Sequence, residues 1–190
     1  MYLFFDTETT GIPKNYKAPA SDSRNWPRLV QIAWLLVDED GNEQKSVEHI
    51  IKPDGFSIPA DAARIHGITN EVATEKGVAV KPVLEQIIAD FTQAKTLLAH
   101  NMSFDEKILG AEFLRLGFAN EVEAKTRKCT MLASVDHCAI PGAYGNKWPK
   151  LQELHKKLFQ REFSGAHSAL ADVRACAKCY FELKRIGVMK

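Results

Sequence analysis

Four carboxylates and one histidine lie in three short segments whose residue types suit metal binding and proton transfer. Carboxylate oxygens are the ligands that hard divalent cations such as Mg²⁺ and Mn²⁺ prefer in proteins. Two such ions held side by side can activate a water molecule for hydrolysis. The sequence therefore predicts a site with two divalent ions, built from Asp6, Glu8, Asp105, His167 and Asp172.

The first two carboxylates end a predicted buried strand. Tyr2–Phe5 is an apolar run, and the turn signal Thr9-Thr10-Gly11 follows it. Asp6 and Glu8 are two residues apart, so on an extended chain they point to the same side and repel each other unless a cation neutralises them. The alternative is a solvated acidic turn, because Asp38-Glu39-Asp40 has the same spacing in an ordinary turn sequence.

The second segment repeats this geometry at Asp105. A short apolar run over 95–99 predicts a buried strand, and apolar residues at helical spacing follow it. Asn101 or Ser103 can cap that helix, which places Asp105 in its first turn, just beyond a strand end. The alternative is that Asp105 only complements the helix dipole.

The third segment carries His167 and Asp172 at the start of the longest helical pattern, over about 168–186. Ser164 and Gly165 predict a mobile entry to this helix, so His167 lies on a flexible lead-in and Asp172 on a rigid element. Rigidity suits a metal ligand, whereas a general base that engages only with substrate tolerates movement. The alternative is a histidine at a helix start and a surface aspartate.

Taken together, the three segments resemble a known family. Phe-Asp-Thr-Glu-Thr-Thr-Gly from Phe5, His-Asn-Met-Ser-Phe-Asp from His100 and His-Ser-Ala-Leu-Ala-Asp from His167 resemble the three exonuclease motifs of the DEDDh, or DnaQ-like, 3′→5′ exonucleases. This superfamily includes the epsilon subunit of bacterial DNA polymerase III, ribonuclease T and the TREX-type exonucleases. The resemblance runs from residue 2 to about residue 182, and His66-Gly67-Ile68-Thr69 matches a further family stretch.

The resemblance implies a role for each residue of the metal site. Asp6 would bridge two ions, either Mg²⁺ or Mn²⁺, and Asp105 would support the second ion. Glu8 and Asp172 would complete the site that binds the attacking water, and His167 would take its proton. The expected products are nucleoside 5′-monophosphates released from a 3′ end.

Four residues are predicted to bind the terminal nucleotide. Thr9 could reach the 3′-oxygen through its amide or hydroxyl, and Asn101 precedes the helix that carries Asp105. His66 belongs to the family stretch that packs near the terminal nucleotide. The ring of Phe104 could stack on a base beside the metals, the alternative being a core ring.

The implied fold is an α/β, RNase H-like fold: a mixed five-stranded sheet with helices on both faces. The residues themselves predict early strands and then alternating helices and strands. A hairpin signal, Asp40-Gly41-Asn42, joins the second and third strands. The predicted strands are Tyr2–Asp6, Leu29–Val37, Gln44–Lys52, Thr96–Ala99 and Arg127–Cys129. The predicted helices are Pro82–Phe91, Phe104–Leu116, Met131–Cys138, Leu151–Phe159 and Ala169–Ile186.

Length and composition are typical of one domain over residues 1–190, of which 45% are hydrophobic. No apolar run is long enough for a membrane span, and the N-terminus does not resemble a signal peptide. Cys176 and Cys179 form a Cys-x-x-Cys pair, which can indicate zinc or redox chemistry, but the sequence has no second such pair and no matching pair of histidines. The four cysteines therefore predict reduced, buried thiols and a cytoplasmic protein. The polar segment 13–27 holds three prolines and is predicted to be an exposed loop beside the site, either a substrate contact or a mere connection.

Three functions from different classes remain open. The favoured one is a DNA 3′→5′ exonuclease acting on a free 3′ end, most readily of a single strand, and the alternatives are an RNA exonuclease of the ribonuclease T kind and a non-catalytic nucleic-acid-binding module. A formal net charge of +1 argues against a protein that wraps long duplex. A polymerase partner or a homodimer is compatible with the motifs. The sequence stops at Lys190 without the long tail by which the bacterial proofreading subunit engages its polymerase, which counts against a proofreading-subunit role but not against the chemistry.

Overall fold

A five-stranded mixed sheet forms the centre of the protein. The structure, a computed structural model, describes residues 1–166 and 168–190. Its strands are β1 (Tyr2–Thr9), β2 (Leu29–Val37), β3 (Glu43–Ile50), β4 (Thr96–Ala99), β5 (Thr126–Cys129), β6 (Pro141–Gly142) and β7 (Gly145–Asn146). The main sheet has the order β3-β2-β1-β4-β5, and β6 and β7 form a separate small hairpin.

The strand directions confirm the predicted mixed sheet. β1 pairs antiparallel with β2, and β2 pairs antiparallel with β3 through the predicted hairpin. β4 lies parallel to β1 on one side and to β5 on the other. β2 and β4 have the predicted bounds, whereas β1 continues three residues beyond its predicted end, to Thr9.

Helices cover both faces of the sheet, as predicted. They are α1 (Ala60–His66), α2 (Asn70–Lys76), α3 (Val80–Phe91), α4 (Met102–Arg115), α5 (Thr130–Ala133), α6 (Val135–Cys138), α7 (Leu151–Phe159) and α8 (Ala169–Arg185). The predicted helix Met131–Cys138 is in fact two single turns separated at Ser134, whose hydroxyl donates to the carbonyl of Thr130 at 2.7 Å. Such a hydroxyl competes with the helical hydrogen bonds, which accounts for the interruption.

Alternation along β1 divides the core between the two faces. Leu3 and Phe5 pack with residues of α3 and α4 in one apolar cluster. Phe4 points the other way and packs with residues of α7 and α8 in a second cluster. The same alternation continues to the end of β1, where it decides which helix each polar side chain meets.

The segment between β1 and β2 is only partly exposed, so the prediction of an exposed loop over 13–27 was wrong for several of its residues. Ala20 and Trp26 are 2% and 3% exposed, and the Trp26 indole donates to the carbonyl of Pro19 at 3.0 Å. The guanidinium of Arg115, on α4, donates to the carbonyls of Ser23 and Trp26. Trp26 therefore fixes the segment to the core, a role that a polar, proline-rich sequence does not indicate.

A buried carboxylate joins the same segment to α4. Glu112 has a side chain only 1% exposed and accepts hydrogen bonds from the guanidinium groups of Arg28 (2.9 Å) and Arg115 (2.8 Å). It also accepts from the amide of Leu29 at 3.1 Å. A carboxylate this deeply buried needs such partners, because an uncompensated buried charge is strongly destabilising.

The remaining predictions from composition have simple outcomes. All four cysteines are free thiols, and Cys138, Cys176 and Cys179 are buried, as predicted. Burial raises the pKa of Cys179 to about 12, so this thiol is unreactive at neutral pH. Among the described residues, no helix is both long and apolar enough to span a bilayer.

Candidate active site

Three of the predicted ligands converge at the end of β1. Asp6, Glu8 and Asp172 each offer a carboxylate oxygen, and these oxygens lie within 4.8 Å of one another. Asp6 and Glu8 are two and four residues after Phe4 on β1, so their side chains point to the same face of the sheet as Phe4. This is the face that α8 covers. The pairing of β1 with β2 shifts register between Glu8 and Thr9, so an irregularity interrupts the ladder directly after the second carboxylate.

Gln31 on β2 fixes the start of α8 next to this end of β1. Gln31 is the partner of Glu8 in the strand register, and its side-chain oxygen accepts from the amide of Ala169, the first residue of α8, at 3.3 Å. The amide of Asp172 donates to the carbonyl of Ser168 at 3.0 Å within the first turn. Asp172 is thus held on the first turn of an anchored helix. No pattern in the sequence indicates the contact of Gln31 with this helix.

Asp105 lies outside this group of three carboxylates and is held by a different contact. It is 3% exposed in the first turn of α4, where its Oδ1 accepts from the Thr7 amide (3.0 Å) and the Thr7 hydroxyl (2.7 Å). Thr7 points to the same face of the sheet as Leu3 and Phe5, so it faces α4 rather than α8. Because side chains alternate between the two faces along β1, Asp172 lies beside Asp6 and Glu8 on one face. Asp105 lies beside Thr7 on the other face.

Burial and mutual repulsion make these carboxylates weak acids in the metal-free protein. Burial raises the pKa of Asp6 well above its ordinary value, and Asp105, Asp172 and Glu8 raise it further. Burial and the charges of Asp172 and Asp105 raise the pKa of Glu8 to about 8. Burial also raises the pKa of Asp105 to about 7, although the hydrogen bonds from Thr7 oppose this shift.

The donor set fits a divalent cation. Three carboxylate oxygens within 4.8 Å of one another are hard ligands at close spacing. A cation between them would offset both the repulsion and the loss of hydration that raise the pKa of Asp6 and Glu8. The residues that would hold an ion are Asp6, Glu8 and Asp172, with the Oδ2 atom of Asp105 left for a second ion.

We expect the chelator-treated protein to lose stability as the pH rises from about 7 to about 8.5. Glu8 has a pKa of about 8 when folded and about 4.3 when unfolded. Between these values the folded state binds a proton that the unfolded state lacks, so a rise in pH favours unfolding. The melting temperature should fall across this range with EDTA, and the fall should be smaller with excess Mn²⁺.

The pH range of this measurement lies above the range in which His100 contributes to the pH dependence. Burial lowers the pKa of His100 to about 4, so its contribution to the pH dependence ends near its unfolded value of about 6.5. A melting temperature that stays constant or rises between about pH 7 and about pH 8.5 in EDTA would contradict the clustering of carboxylates.

His100 and Asn101 shape the backbone that leads from β4 to Asp105. The Nε2 of His100 lies 2.9 Å from the carbonyl of Pro149, and its Nδ1 lies 3.0 Å from the Thr130 hydroxyl. A carbonyl can only accept, so Nε2 carries the proton. Asn101 precedes α4 in the left-handed conformation (φ 75°), and its side chain accepts from the Ser103 hydroxyl rather than from a helix amide. The predicted side-chain cap was therefore wrong, and α4 begins at Met102, two residues before the predicted start at Phe104.

A small apolar cavity of about 190 Å³ opens beside the carboxylates. Three of the four residues predicted to bind the terminal nucleotide line it, namely Thr9, His66 and Phe104, and Glu8 is shared with the metal site. Thr7, Gly11, Ile12, Ala62 and Ile65 complete its lining. Ile12 and Ile65 are 75% and 61% exposed, and these exposed aliphatic residues beside the motifs are a signal that our sequence analysis missed.

The polar groups of the cavity are partly engaged by the protein. The Thr9 hydroxyl donates to the carbonyl of Gly11 at 2.6 Å, so it would have to turn to reach a 3′-oxygen. The His66 Nδ1 accepts from the Ile68 amide at 3.1 Å, while its buried Nε2 makes no hydrogen bond of normal geometry among the described residues. Burial lowers the pKa of His66, an effect that the backbone of Thr9 partly offsets, so this ring is neutral at physiological pH.

Two predicted residues need separate mention. Asn101 does not line the cavity, so its assignment to substrate binding has no support from this geometry. His167 lies outside the described residues, and its role as a base stays a prediction from the sequence.

Comparisons with known proteins agree with this arrangement. The sequence pattern of the exonuclease family RNase_T matches residues 3–180. DNA polymerase III subunit epsilon from Rickettsia felis is 29% identical over 186 residues, which cover 95% of this chain and 72% of that protein. Exodeoxyribonuclease 10 from Escherichia coli K12 is 32% identical over 109 residues, which cover 57% of this chain and 40% of that protein.

A solved structure extends the comparison to the fold. The zinc-bound form of an E. coli exonuclease I complex with single-stranded DNA superposes with a TM-score of 0.76 at 25% identity. The match covers 98% of this chain but 40% of that one, so the chain spans about two fifths of the length of exonuclease I. The chain has an RNase H-like fold and belongs to the RNase_T exonuclease family of the DEDDh superfamily, which makes it a hydrolytic nuclease.

Proposed function

We propose that residues 1–190 form a single exonuclease domain that removes nucleotides from the 3′ end of DNA, preferably single-stranded, as nucleoside 5′-monophosphates. The observation that carries this proposal is the position of Glu8, which belongs both to the carboxylate group and to the lining of the cavity. A small apolar cavity beside a hydrolytic site suits the last nucleoside of a strand, which has no following nucleotide to accommodate. Cleavage would then release one nucleotide at a time.

Asp6, Glu8 and Asp172 would hold one divalent ion, and Asp6 with Asp105 a second. Mg²⁺ or Mn²⁺ suits this all-oxygen set of ligands. Such ions, when bound, stabilise the charge that develops on the attacking and leaving oxygens. The separate anchoring of Asp105 by Thr7 keeps its ligand oxygen in place whether or not the first three carboxylates are occupied.

The side chains of this protein supply proton transfer and positioning. His167 takes a proton from the attacking water, for which a neutral imidazole near pH 7 is suited. The water oxygen bonds to phosphorus, and the bond between phosphorus and the 3′-oxygen of the preceding nucleotide breaks. That oxygen takes a proton from solvent, and the phosphate stays on the 5′-oxygen of the released nucleotide. Thr9, His66 and Phe104 hold the terminal nucleoside.

The names of the relatives support DNA over RNA. The exonuclease I structure contains single-stranded DNA, and one relative is named an exodeoxyribonuclease. The similarity to DNA polymerase III subunit epsilon supports association with a polymerase as a further possibility for this chain.

Matched single-stranded DNA and RNA oligonucleotides, labelled at the 5′ end, test the proposal directly. With Mg²⁺, the DNA should shorten stepwise from its 3′ end and release 5′-monophosphates, faster than the RNA does. A DNA with a blocked 3′-hydroxyl is the control and should resist. Faster loss of the RNA would favour the ribonuclease, and binding without cleavage would favour the non-catalytic module.

Phe104 offers a test of the cavity. Its ring lies edge-on to Trp26 at 6.5 Å and packs against the core while also lining the cavity, a placement that supports the stacking role without removing the alternative of a core ring. Stacking of a base on an aromatic ring contributes about 1–3 kcal/mol. We expect Phe104→Ala to raise the KM for single-stranded ends between about 5-fold and about 150-fold. The KM for duplex ends should rise more, because a frayed end must be captured before it is cleaved.

Phe118→Ala is the matched control. Phe118 is also partly buried against the same core cluster, but it does not line the cavity. Both variants should lose some thermal stability, and only Phe104→Ala should lose affinity for the strand end. If Phe104→Ala lowers stability by several kcal/mol and leaves the activity of each folded molecule unchanged, the ring belongs to the core alone.

A further inference from the structure

Two aromatic side chains are exposed in the segment between α6 and α7, one within the small hairpin and the second two residues after it. Tyr144 is fully exposed, at 105%, and Trp148 is 65% exposed. The hairpin pairs Pro141 with Asn146 and Gly142 with Gly145, so Tyr144 lies in its turn. Rings of this size are normally buried, and their exposure on an ordered hairpin calls for a binding partner.

The hairpin is fixed to the end of the sheet that carries the active site. Trp148 precedes Pro149, whose carbonyl accepts from the Nε2 of His100 at 2.9 Å. His100 directly follows β4, and α4 with Asp105 in its first turn starts two residues later. Trp148 is thus one residue and one hydrogen bond away from the segment that positions Asp105, and Tyr144 lies four residues before Trp148.

The hairpin and the α1 wall of the small cavity lie on opposite sides of β1, while Phe104 of α4 forms the other wall of the cavity. The cavity includes residues of α1, and α1 packs against β2 and β3 through Ala62, Val30 and Ile50. The hairpin is attached on the side of β4 and β5, through His100 and Thr130. β1, with Asp6 and Glu8, lies between β2 and β4. A strand whose last nucleotide fills the cavity therefore leaves the carboxylates towards the hairpin.

The charges around the rings suit a phosphate backbone. The stretch 137–152 contains Lys147 and Lys150 and has no Asp or Glu. Lys147 forms an ion pair with Glu153 at 2.6 Å, whereas the side chain of Lys150 is exposed. Aromatic rings combined with lysines are the usual means of holding single-stranded nucleic acid without sequence preference.

We propose that Tyr144 and Trp148 form a stacking platform for the single-stranded nucleic acid that leads to the active site. The inference rests on the proposed function, and it adds a second contact upstream of the nucleotide that is cleaved. The platform favours strands long enough to reach from the carboxylates to the hairpin over dinucleotides.

Steady-state cleavage of dT12 and of dT2 with Mg²⁺ tests the platform. In the double variant Tyr144→Ala/Trp148→Ala, the KM for dT12 should be higher by about tenfold or more. The kcat and KM for dT2 should be unchanged. Tyr144→Phe/Trp148→Phe keeps both rings and should behave as the wild type. Leu132→Ala, which removes another exposed apolar side chain (53% exposed), is the surface control. The proposal would be overturned if the alanine variant and the wild type had the same KM for dT12. It would also be overturned if the KM of the variant rose equally for dT2 and for dT12.

Tryptophan fluorescence gives a second readout that does not need cleavage. Of the three tryptophans, Trp26 and Trp34 are 3% and 0% exposed, so Trp148 is the one that a bound strand can reach. Added dT12 should quench the emission in EDTA, and Trp148→Phe should abolish the quenching. If the wild type fails to shorten dT12 but the quenching occurs, the platform stands and the proposed function fails. A wild-type dimer that Tyr144→Ala/Trp148→Ala converts to a monomer would identify the rings as a contact between copies, and would overturn the platform.

Discussion

Replacing Asp6 with asparagine is expected to abolish cleavage while stabilising the metal-free protein. The substitution removes a ligand from both proposed ions, and several kcal/mol of charge stabilisation correspond to a loss of about 10³-fold or more in kcat. It also removes a buried carboxylate whose own pKa is raised well above its ordinary value by burial and by the charges of Asp105, Asp172 and Glu8, so the chelated protein should melt at a higher temperature. Activity assays and thermal melts in EDTA measure the two effects on the same samples.

Asp40→Asn is the control for this experiment. Asp40 is an exposed carboxylate in the Asp38-Glu39-Asp40 turn, which has the same spacing as the motif. Its replacement should leave both activity and the effect of EDTA unchanged. EDTA should abolish the wild-type activity, and Mg²⁺ or Mn²⁺ should restore it. Full wild-type activity in EDTA would refute the two-metal proposal.

Replacing His167 with alanine should lower kcat by about 10²- to 10⁴-fold and leave substrate binding largely intact, because the base acts on the attacking water and not on the strand. The wild-type rate should rise with pH through the pKa of the imidazole, near 6.5 for an unperturbed histidine, since the neutral form is the active base. The variant should lack this acidic limb of the pH profile.

The matched control for that variant is His137→Ala. His137 is in the last turn of α6, and none of the contacts described at the carboxylates involves it. Binding of dT12 measured in EDTA separates affinity from turnover. A His167→Ala enzyme with wild-type turnover at neutral pH would show that another group takes the proton.

Local patterns were sufficient to predict most of the sheet. β2 is buried at every position, and its run of apolar residues predicts its bounds without reference to other segments. The helices α1 and α2 were not predicted, because each has seven residues and too few turns to establish a helical period. Gly67 ends α1 in the left-handed conformation (φ 76°), which places His66 at the cavity, and the sequence gives only the glycine as a sign of this.

Contacts between distant segments account for what the sequence could not predict about the site. The hydrogen bonds from Thr7 to Asp105 join residues 98 positions apart. A threonine between two acidic residues gives no sign of this role. The alternation of β1 does predict that Asp6 and Glu8 share a face, but which helix covers that face follows only from the complete topology.

The Glu112 contacts constrain how this protein can change in evolution. Arg28 and Arg115 share one buried carboxylate, so losing Glu112 would leave two cations without their partner. Breaking a buried ion pair on one side costs about 3–5 kcal/mol, a large part of the stability of a typical domain. Arg28, Glu112 and Arg115 are therefore expected to co-vary among related sequences. Exposed positions of the segment between β1 and β2, such as Lys14 and Tyr16, are expected to tolerate substitution.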